Sequence, residues 1–305
     1  MGTVLPHVSV VVCTRNRPDT IEQAVMSVLA NNYHSFDLTV IDQSTTQATE
    51  SILRPIAEGD RRLRYVLVQE AGLSRAYNTA IACTEGDVLA FTDDDCVTPS
   101  DWLSKICHAF AEDEEADLIY GQVIAPEMSN VPGGITPALA LRRPERFSRR
   151  DGFRVLGMGA NFAARRSLFT RVGGFDEQLG GGAPLCSSQD FDLAYRTYRS
   201  GRAILARPDV HVLHYGTRTP QDWPATLRAY GIGDGAFYFK HVRCLDLFAL
   251  RLLARQMLVQ SARDIGRRLR GRGPGNLLYV RFILVGIRES LRFKVDRHAR
   301  LYVAR

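Results

Sequence analysis

Apolar and polar positions alternate with two periods over the first hundred residues. Short apolar runs rich in β-branched residues predict strands, and segments with apolar residues three and four apart predict helices. Strands are predicted at 8–13, 38–41, 63–68 and 88–92, and helices at 20–30, 50–57 and 73–83. This β-α-β-α order predicts an α/β fold with a parallel sheet and helices on both faces. Ligands of such sheets bind beyond the carboxyl ends of the strands.

The pattern changes after residue 120. Residues 124–155 are rich in proline, glycine and arginine, and they predict a mobile loop with a short helix rather than a domain linker. Further strands are predicted at 157–164, 203–205 and 210–214, and helices at 166–172 and from 191 to about 200. The chain from about residue 221 is predicted to be helical.

Polar residues follow three of the predicted strands. They are Thr14, Arg15, Asn16 and Arg17 after the first strand, Asp42, Gln43 and Ser44 after the second, and Asp93, Asp94 and Asp95 after the fourth. Loops are polar in any protein, so one such cluster says little. Three clusters on one edge of one sheet indicate a site.

The three consecutive carboxylates at 93–95 carry the strongest chemical signal. Adjacent Asp side chains repel one another and are costly to bury without a cation or several strong donors. Oxygen ligands of this kind suit Mg²⁺ or Mn²⁺. The alternative is an acidic turn that leads into the next helix, with Thr98, Ser100 or Asp101 as the N-cap.

Charge is distributed unevenly along the chain. The net charge is +6, but residues 240–305 carry 16 Lys/Arg against four Asp/Glu, which leaves the first 239 residues acidic. A basic extension fits a nucleic-acid partner, an anionic membrane or solvated helices. Arginines interrupt the apolar stretches 245–259 and 277–287 below the roughly 18–20 residues of a membrane span. These stretches fit either helices lying in a membrane interface or a helical pair packed on the body.

Cysteine usage and the chain start suggest a location. The six cysteines show no Cys-x-x-Cys pair, which predicts reduced thiols and argues against zinc. No leader pattern precedes the first strand. The expectation is a cytoplasmic protein.

Four motifs occur in an order that is specific for one family. They are VVVCTRNRP at 10–18, VIDQS at 40–44, DDD at 93–95, and GAN at 159–161 leading to GGFD at 173–176 and QDFD at 189–192. In this respect the chain resembles, over about residues 7–216, the inverting nucleotide-sugar glycosyltransferases of family 2, which have the GT-A fold. The resemblance implies a catalytic domain at 1–220, with a nucleotide-binding half at about 7–120 and an acceptor half at about 121–220. Residues 221–305 would then form a helical, basic extension that lies on a membrane surface or packs on the catalytic domain.

The resemblance also implies a metal and a nucleotide pocket. Mn²⁺ or Mg²⁺ would be held by Asp95, Asp93 and His214, and Asp93 would also contact the ribose. Asp94 could contact either the metal or the nucleotide sugar. The other residues implied to bind the nucleotide sugar are Thr14, Arg15, Asp42 and Arg75.

Inversion at the anomeric carbon requires one general base. By resemblance this base is Asp190, for which the alternative is a simple helix N-cap. Gly159 and Asn161 are expected at the acceptor floor, and Asp192 is expected to orient the acceptor or to cap its own helix.

The function predicted is transfer of a sugar from a nucleotide-diphosphate donor, with a UDP-sugar favoured, to a glycan or lipid-linked acceptor. The setting expected is cell-envelope polysaccharide synthesis at the inner face of the membrane. One rival is a haloacid-dehalogenase-type phosphatase, because Asp93, Asp95 and Val97 fit its motif, although that motif normally opens the fold. Another is a non-catalytic scaffold that binds a membrane or a nucleic acid, with bases stacked on Tyr230, Phe237, Tyr238 and Phe239. The glycosyltransferase prediction itself expects no nucleic-acid partner.

Overall fold

The computed structural model describes residues 5–126, 132–154, 157–270 and 277–303. The strands are β1 (Val8–Thr14), β2 (Phe36–Asp42), β3 (Leu63–Leu67), β4 (Val88–Asp93), β5 (Cys96–Val97), β6 (Ala116–Ile124), β7 (Glu145–Phe147), β8 (Asn161–Arg165), β9 (Ala203–His214), β10 (Lys294–Asp296) and β11 (Leu301–Val303). The helices are α1 (Pro18–Leu29), α2 (Ala48–Gly59), α3 (Leu73–Cys83), α4 (Trp102–Glu112), α5 (Arg166–Val172), α6 (Gln189–Ser200), α7 (Trp223–Arg243), α8 (Leu247–Leu269) and α9 (Leu277–Ser290).

The chain divides into two compact units. The first comprises Met1–Ala71, Arg75–Gly174 and Leu193–Thr219, and the second comprises Gly72–Ser74, Phe175–Asp192 and Pro220–Arg305. The predicted boundary near residue 220 coincides with one of these divisions. The segment Phe175–Asp192, expected in the catalytic domain, groups with the C-terminal helices instead.

The first unit is built on one sheet with the order β3-β2-β1-β4-β8-β6-β9-β5, and β7 adds to β9. Strands β3, β2, β1 and β4 are parallel, as their sequence pattern predicts. The chain order reverses at β1, which lies between β2 and β4. Such a switch point leaves a crevice at the carboxyl ends of the two neighbouring strands. Thr14 pairs with Asp42 there, and Cys13 pairs with Asp93.

The other half of the sheet is mixed. Strand β8 runs antiparallel to both β4 and β6. The two short strands predicted at 203–205 and 210–214 form one strand, β9, whose register with β6 jumps between Arg207 and His211. The polar residues between them therefore mark an irregularity in one strand rather than its end. Strand β5 pairs with the last residues of β9, with Cys96 opposite His214.

Several elements differ from the predictions. Within the described part of the proline-rich segment, residues 132–154, the structure has the short strand β7 and no helix. The strand predicted from 157 begins at Asn161, after a turn. The pattern did not predict β6, or the hairpin of β10 and β11 within the region predicted to be helical.

A large cluster of buried apolar residues in the first unit packs the sheet against helices. Val10 and Val12 of β1 and Ile21 and Val25 of α1 are fully buried within it. Helix α1 presents these residues at the spacing that predicted it. This packing fixes the carboxyl end of β1, where the first polar cluster begins.

The second unit has its own core around α7. Leu179, Leu185, Ala236 and Tyr302 are buried together. Phe237 and Tyr238, which the scaffold hypothesis assigned to base stacking, are buried as well. No helix within the described ranges is both long enough and apolar enough to cross a membrane.

Candidate active site

The loops that follow β1 and β2 are joined at the switch point. Asn16 adopts a left-handed conformation, with φ of 56°, which Asn tolerates better than most residues. Its backbone N–H donates to Ser44 Oγ at 2.7 Å, and its Oδ1 accepts from the Thr45 N–H at 2.8 Å. The two loops therefore hold each other's conformation next to the carboxylates.

Arg17 bridges two of the three aspartates. Its Nη1 donates to Asp94 Oδ1 at 2.6 Å, and its Nη2 donates to Asp95 Oδ2. Thr14 Oγ1 donates to the other oxygen of Asp94 at 2.6 Å. Both carboxylates are buried, so these charge-assisted bonds supply part of the compensation that a buried carboxylate needs.

His214 faces the third side of this cluster. Its Nδ1 lies 2.9 Å from the Pro137 carbonyl oxygen, and because a carbonyl only accepts, Nδ1 carries the proton. Nε2 is thereby aimed at Asp95 Oδ1, 3.2 Å away. A Cβ on Gly216 would lie 2.2 Å from Asp95 Oδ2 and 2.9 Å from His214 Nε2. Glycine at 216 therefore keeps the space beside these two groups open.

The pKa values follow from burial and from these neighbours. Burial and then the Asp95 charge raise the pKa of Asp93 to about 7. Burial raises the pKa of Asp94 to about 6, although Arg17 and Thr14 oppose it. Burial acts in the same direction on Asp95, but His214 and Arg17 hold its pKa below the ordinary value. The pKa of His214 is raised because Asp95 outweighs burial.

These groups fit a divalent cation. In neutral His214 the Nε2 lone pair would face Asp95 Oδ1, and two lone pairs repel unless a proton or a cation lies between them. Oδ1 is buried and finds no donor in hydrogen-bonding geometry among the residues that the structure describes. Ligand atoms of Asp95, Cys96 and His214 lie within 4.8 Å of one another. Burial raises the pKa of the Cys96 thiol, which keeps it protonated, so oxygen and imidazole donors remain for Mn²⁺ or Mg²⁺.

Asp93, predicted as a ligand, is not in this group of three residues. It ends β4, next to β1 in the sheet. The structure thus brings together Asp95 and His214, with Asp93 as their neighbour along the chain.

The predicted nucleotide contacts divide into two groups. Thr14 is buried and donates to Asp94, and Asp42 is buried with its oxygens accepting from the Ser44 N–H and the Tyr65 hydroxyl, each at 2.8 Å. Arg15 is exposed, and Arg75 pairs with Glu70. The roles of these residues in nucleotide binding stay predictions.

Asn161 is placed differently from its expected position at an acceptor floor. It is fully buried in β8, where its Oδ1 accepts from Trp102 Nε1 at 3.0 Å. Its Nδ2 donates to the carbonyls of Gln122 and Val210 at 2.9 and 3.1 Å. All of its amide groups are used inside the protein, so the structure gives Asn161 a role in holding the sheet. Gly159 lies in the turn before β8.

Asp190 and Asp192 lie in the second unit, in the first turn of α6. Asp190 is mostly buried, and its Oδ1 accepts from the Phe191 N–H at 3.0 Å. Asp192, expected to orient the acceptor or to cap the helix, is fully buried. Its carboxylate accepts from Lys240 Nζ at 2.6 Å and from His241 Nε2 at 2.9 Å. Asp192 is thus committed to partners within its own unit.

Two residues beside the carboxylates were assigned no individual role by the sequence. Arg17 contacts two aspartates, whereas the resemblance pointed to Arg15. Gly216 keeps the space open beside His214. A signal existed for Arg17, because Pro18 starts α1 directly after it and this fixes the end of the loop. Gly216 offered only its position two residues after the histidine.

Comparison with known proteins shows the family to which the chain belongs. The sequence matches the model of glycosyl transferase family 2 over residues 9–173, more than half of the chain. The chain therefore belongs to this family, as its motifs predicted, and it is a glycosyltransferase. The phosphatase and scaffold alternatives are overturned by this match.

Relatives and solved structures agree with the fold. Glucosyl-dolichyl phosphate glucuronosyltransferase of Haloferax volcanii is 24% identical over 233 residues, which cover 71% of this chain and 72% of that protein. The mannosyltransferase PcManGT from Pyrobaculum calidifontis, in complex with GDP-Man and Mn²⁺, has a TM-score of 0.63 at 18% identity, covering 95% of this chain and 88% of that one. S. aureus TarS 1-349 in complex with UDP-GlcNAc has a TM-score of 0.54 at 18% identity, covering 75% and 66%. These structures show the GT-A fold.

The structural role of Asn161 predicts a stability defect. Asn161→Ala leaves the Trp102 N–H and two buried carbonyls without their partner, which we expect to lower the free energy of unfolding by about 3 kcal/mol. Urea denaturation measures this loss. Asn32→Ala, at an exposed asparagine, is the control and should change little. An Asn161→Ala variant that keeps its stability but has a raised KM for the acceptor would instead support the acceptor role.

Proposed function

We propose that this protein is a metal-dependent, inverting glycosyltransferase that uses a nucleotide-diphosphate sugar as its donor. The observation that carries the proposal is the group of Asp95, His214 and Arg17 beyond the switch point of the sheet. A diphosphate leaving group gains negative charge as its bond to the sugar breaks. A site that combines carboxylates for a metal with a nearby guanidinium suits that chemistry.

The residues proposed to hold Mn²⁺ or Mg²⁺ are Asp95 and His214, with Asp93 adjacent. A bound ion would neutralise charge on the departing diphosphate. The Nδ1 bond of His214 to the Pro137 carbonyl fixes the ring and directs Nε2 towards the ion site. Arg17 forms an ion pair with Asp94. We propose no choice between a nucleotide contact and a metal contact for Asp94.

Asp190 is proposed as the general base. The acceptor hydroxyl oxygen attacks the anomeric carbon, and its proton passes to the Asp190 carboxylate. The bond from that carbon to the diphosphate oxygen breaks, and the nucleotide diphosphate leaves with the electron pair. One displacement from the opposite side inverts the configuration. Asp190 lies in the first turn of α6, where the helix dipole favours a negative charge.

The nucleotide pocket is proposed around Thr14, Arg15, Asp42 and Arg75, and the acceptor is proposed to approach near Gly159. A UDP-sugar is the favoured donor. The relatives support donors and acceptors of these classes: TarS was solved with UDP-GlcNAc, and the Haloferax volcanii relative is named for a dolichyl phosphate. We propose a glycan or lipid-linked acceptor for this chain on the same grounds.

A peripheral contact with the inner face of an anionic membrane is proposed through α8. Apolar residues recur on it at helical spacing, and several are highly exposed: Leu247 at 79%, Leu258 at 71% and Leu269 at 83%. Arg251 and Arg255 are exposed on the same helix. An exposed apolar stripe with arginines fits a helix lying in the plane of an anionic leaflet. Such a contact would bring a cytoplasmic enzyme to a lipid-linked acceptor.

The metal proposal predicts that donor binding depends on a divalent cation. Mn²⁺ together with UDP, GDP or their sugars should raise the melting temperature, whereas EDTA should abolish the shift. Asp95→Asn removes a negative charge that the ion needs. The variant should require at least about tenfold more nucleotide to reach the same shift in melting temperature. Asp101→Asn, at a partly exposed carboxylate, is the control. An equal shift with and without metal would contradict the metal proposal.

Asp190→Asn tests the general base. The amide cannot accept the proton, so the rate of transfer should fall by about 10²- to 10⁴-fold. The metal-dependent thermal shift with nucleotide should persist. Glu177→Gln, an exposed carboxylate in the same unit, should keep full activity. A fully active Asp190→Asn variant would remove Asp190 from this role.

Vesicle flotation tests the membrane contact. The protein should bind vesicles containing about 30% anionic lipid, and binding should weaken at high salt. The double variant Leu258→Glu, Ile265→Glu should lose binding, while Leu67→Glu, at an exposed leucine of β3, should not. Absence of binding by the unmodified protein would refute the contact. A change of oligomeric mass in the double variant would identify the stripe as a subunit interface.

A further inference from the structure

The loop before Asp190 is held in an unfavourable backbone conformation. Cys186 and Ser188 have φ of 65° and 69°, in the left-handed region that residues with a side chain adopt at a cost. Ser187 Oγ donates to the Ala229 carbonyl and Ser188 Oγ donates to Asp234 Oδ1, each at 3.0 Å. Both acceptors belong to α7. The contacts of α7 therefore hold this loop where the backbone alone would not.

Helix α7 approaches the loop as closely as a backbone can. A Cβ on Gly233 would lie 2.0 Å from Ser187 Oγ and 2.7 Å from its carbonyl carbon, so only glycine fits. On other positions of the helix, Gly231 and Gly235 meet Phe282 and Ile283 of α9 in the same way. Glycine in a helix interior costs about 1 kcal/mol relative to alanine. Three glycines at alternate positions indicate that α7 is shaped for close contact.

Asp234 connects the loop to the rest of the second unit. Besides Ser188, its carboxylate accepts from the Tyr279 hydroxyl of α9 at 2.6 Å and from Gln256 Nε2 of α8 at 3.4 Å. The carboxylate is buried. Asp234 therefore links Ser188 to α8 and α9 as well as to its own helix.

The residues after Asp190 are held by the same helix. Lys240 Nζ lies 2.6 Å from both Asp192 and Asp176, and His241 Nε2 lies 2.9 Å from Asp192; all four side chains are fully buried. Burial lowers the pKa of His241 to about 4, so the neutral ring donates through Nε2. Buried ion pairs contribute little net stability, but they enforce one geometry.

We infer that α7 is a clamp that positions Asp190. It holds residue 188 through Asp234 and residue 192 through Lys240 and His241, so the segment that carries Asp190 is fixed two residues before and two residues after it. Ser188, Asp192, Asp234, Lys240 and His241 are positioning residues. The inference rests on the proposed role of Asp190, and it gives the C-terminal helices an indirect part in catalysis, through the position of that carboxylate.

The test compares variants that loosen the clamp with one that does not. Ser188→Ala removes one hydroxyl, and His241→Phe removes the donor to Asp192 but keeps a ring and leaves Lys240 in place. His241→Gln restores a donor. Arg243→Met is the control, because Arg243 lies on the same helix and donates to the Ser290 and Phe293 carbonyls. It weakens the unit away from Asp190.

Activity is followed as metal-dependent hydrolysis of the nucleotide sugar that gives the largest thermal shift, with water as acceptor. Ser188→Ala and His241→Phe should each lower kcat by about 10- to 100-fold, with the donor KM within about twofold. His241→Gln should recover most of kcat. Arg243→Met should lower the melting temperature and leave kcat within about twofold. Equal loss of kcat in Arg243→Met, or unchanged kcat in both clamp variants, would overturn the inference.

Hydrogen exchange separates this inference from the proposed function. In Ser188→Ala and His241→Phe, the peptide covering 186–192 should exchange about tenfold faster or more, whereas in Arg243→Met it should not. This measurement needs no activity. If the unmodified protein turned over no nucleotide sugar, the proposed function would fail while the exchange data still tested the clamp. Unchanged exchange in both variants would refute the clamp.

Discussion

The compensation of three adjacent carboxylates at the end of β4 is the constraint on which the candidate site of the first unit depends. Asp94 and Asp95 are buried, and burial raises the pKa of Asp93 and of Asp94, whereas His214 and Arg17 hold the pKa of Asp95 below its ordinary value. Arg17 reaches the cluster because the loop after β1 is closed by the left-handed Asn16. His214 reaches it because the two-residue strand β5 pairs with β9. The switch point at β1 places the loop that carries Arg17 beside the end of β4.

The second unit uses buried charge for a different purpose. Lys240 is shared by two carboxylates, and His241 completes the set as a neutral donor. Neither group is placed to take part in chemistry, but each loses its partner if the start of α6 moves. The outer side of the same unit carries the exposed leucines of α8. One helical region thus combines a rigid inner contact with a surface suited to an interface.

Much of the first unit could be predicted from the sequence because parallel strands have a strong local signature. The runs that became β1, β2, β3 and β4 are apolar and end in polar clusters, so the edge that carries the site was predictable. The pairing of β5 with β9 was not, because β5 has two residues and no period. The contacts of Asn161 were not predictable for a related reason: only the tertiary structure brings Trp102 next to its side chain. The grouping of Phe175–Asp192 with the C-terminal helices also escaped prediction, because the contacts of Lys240 with Asp176 and Asp192 join residues that are far apart in the sequence. The three alternate glycines at 231, 233 and 235 were the sequence signal that α7 packs closely against other segments.

The most direct test of the central claim is anomalous diffraction at the manganese edge from crystals grown with Mn²⁺ and the preferred nucleotide diphosphate. The account predicts one peak about 2 Å from an Asp95 carboxylate oxygen and from His214 Nε2, with the diphosphate in contact with it. A peak at another set of side chains, or a bound diphosphate with no metal at Asp95, would contradict it.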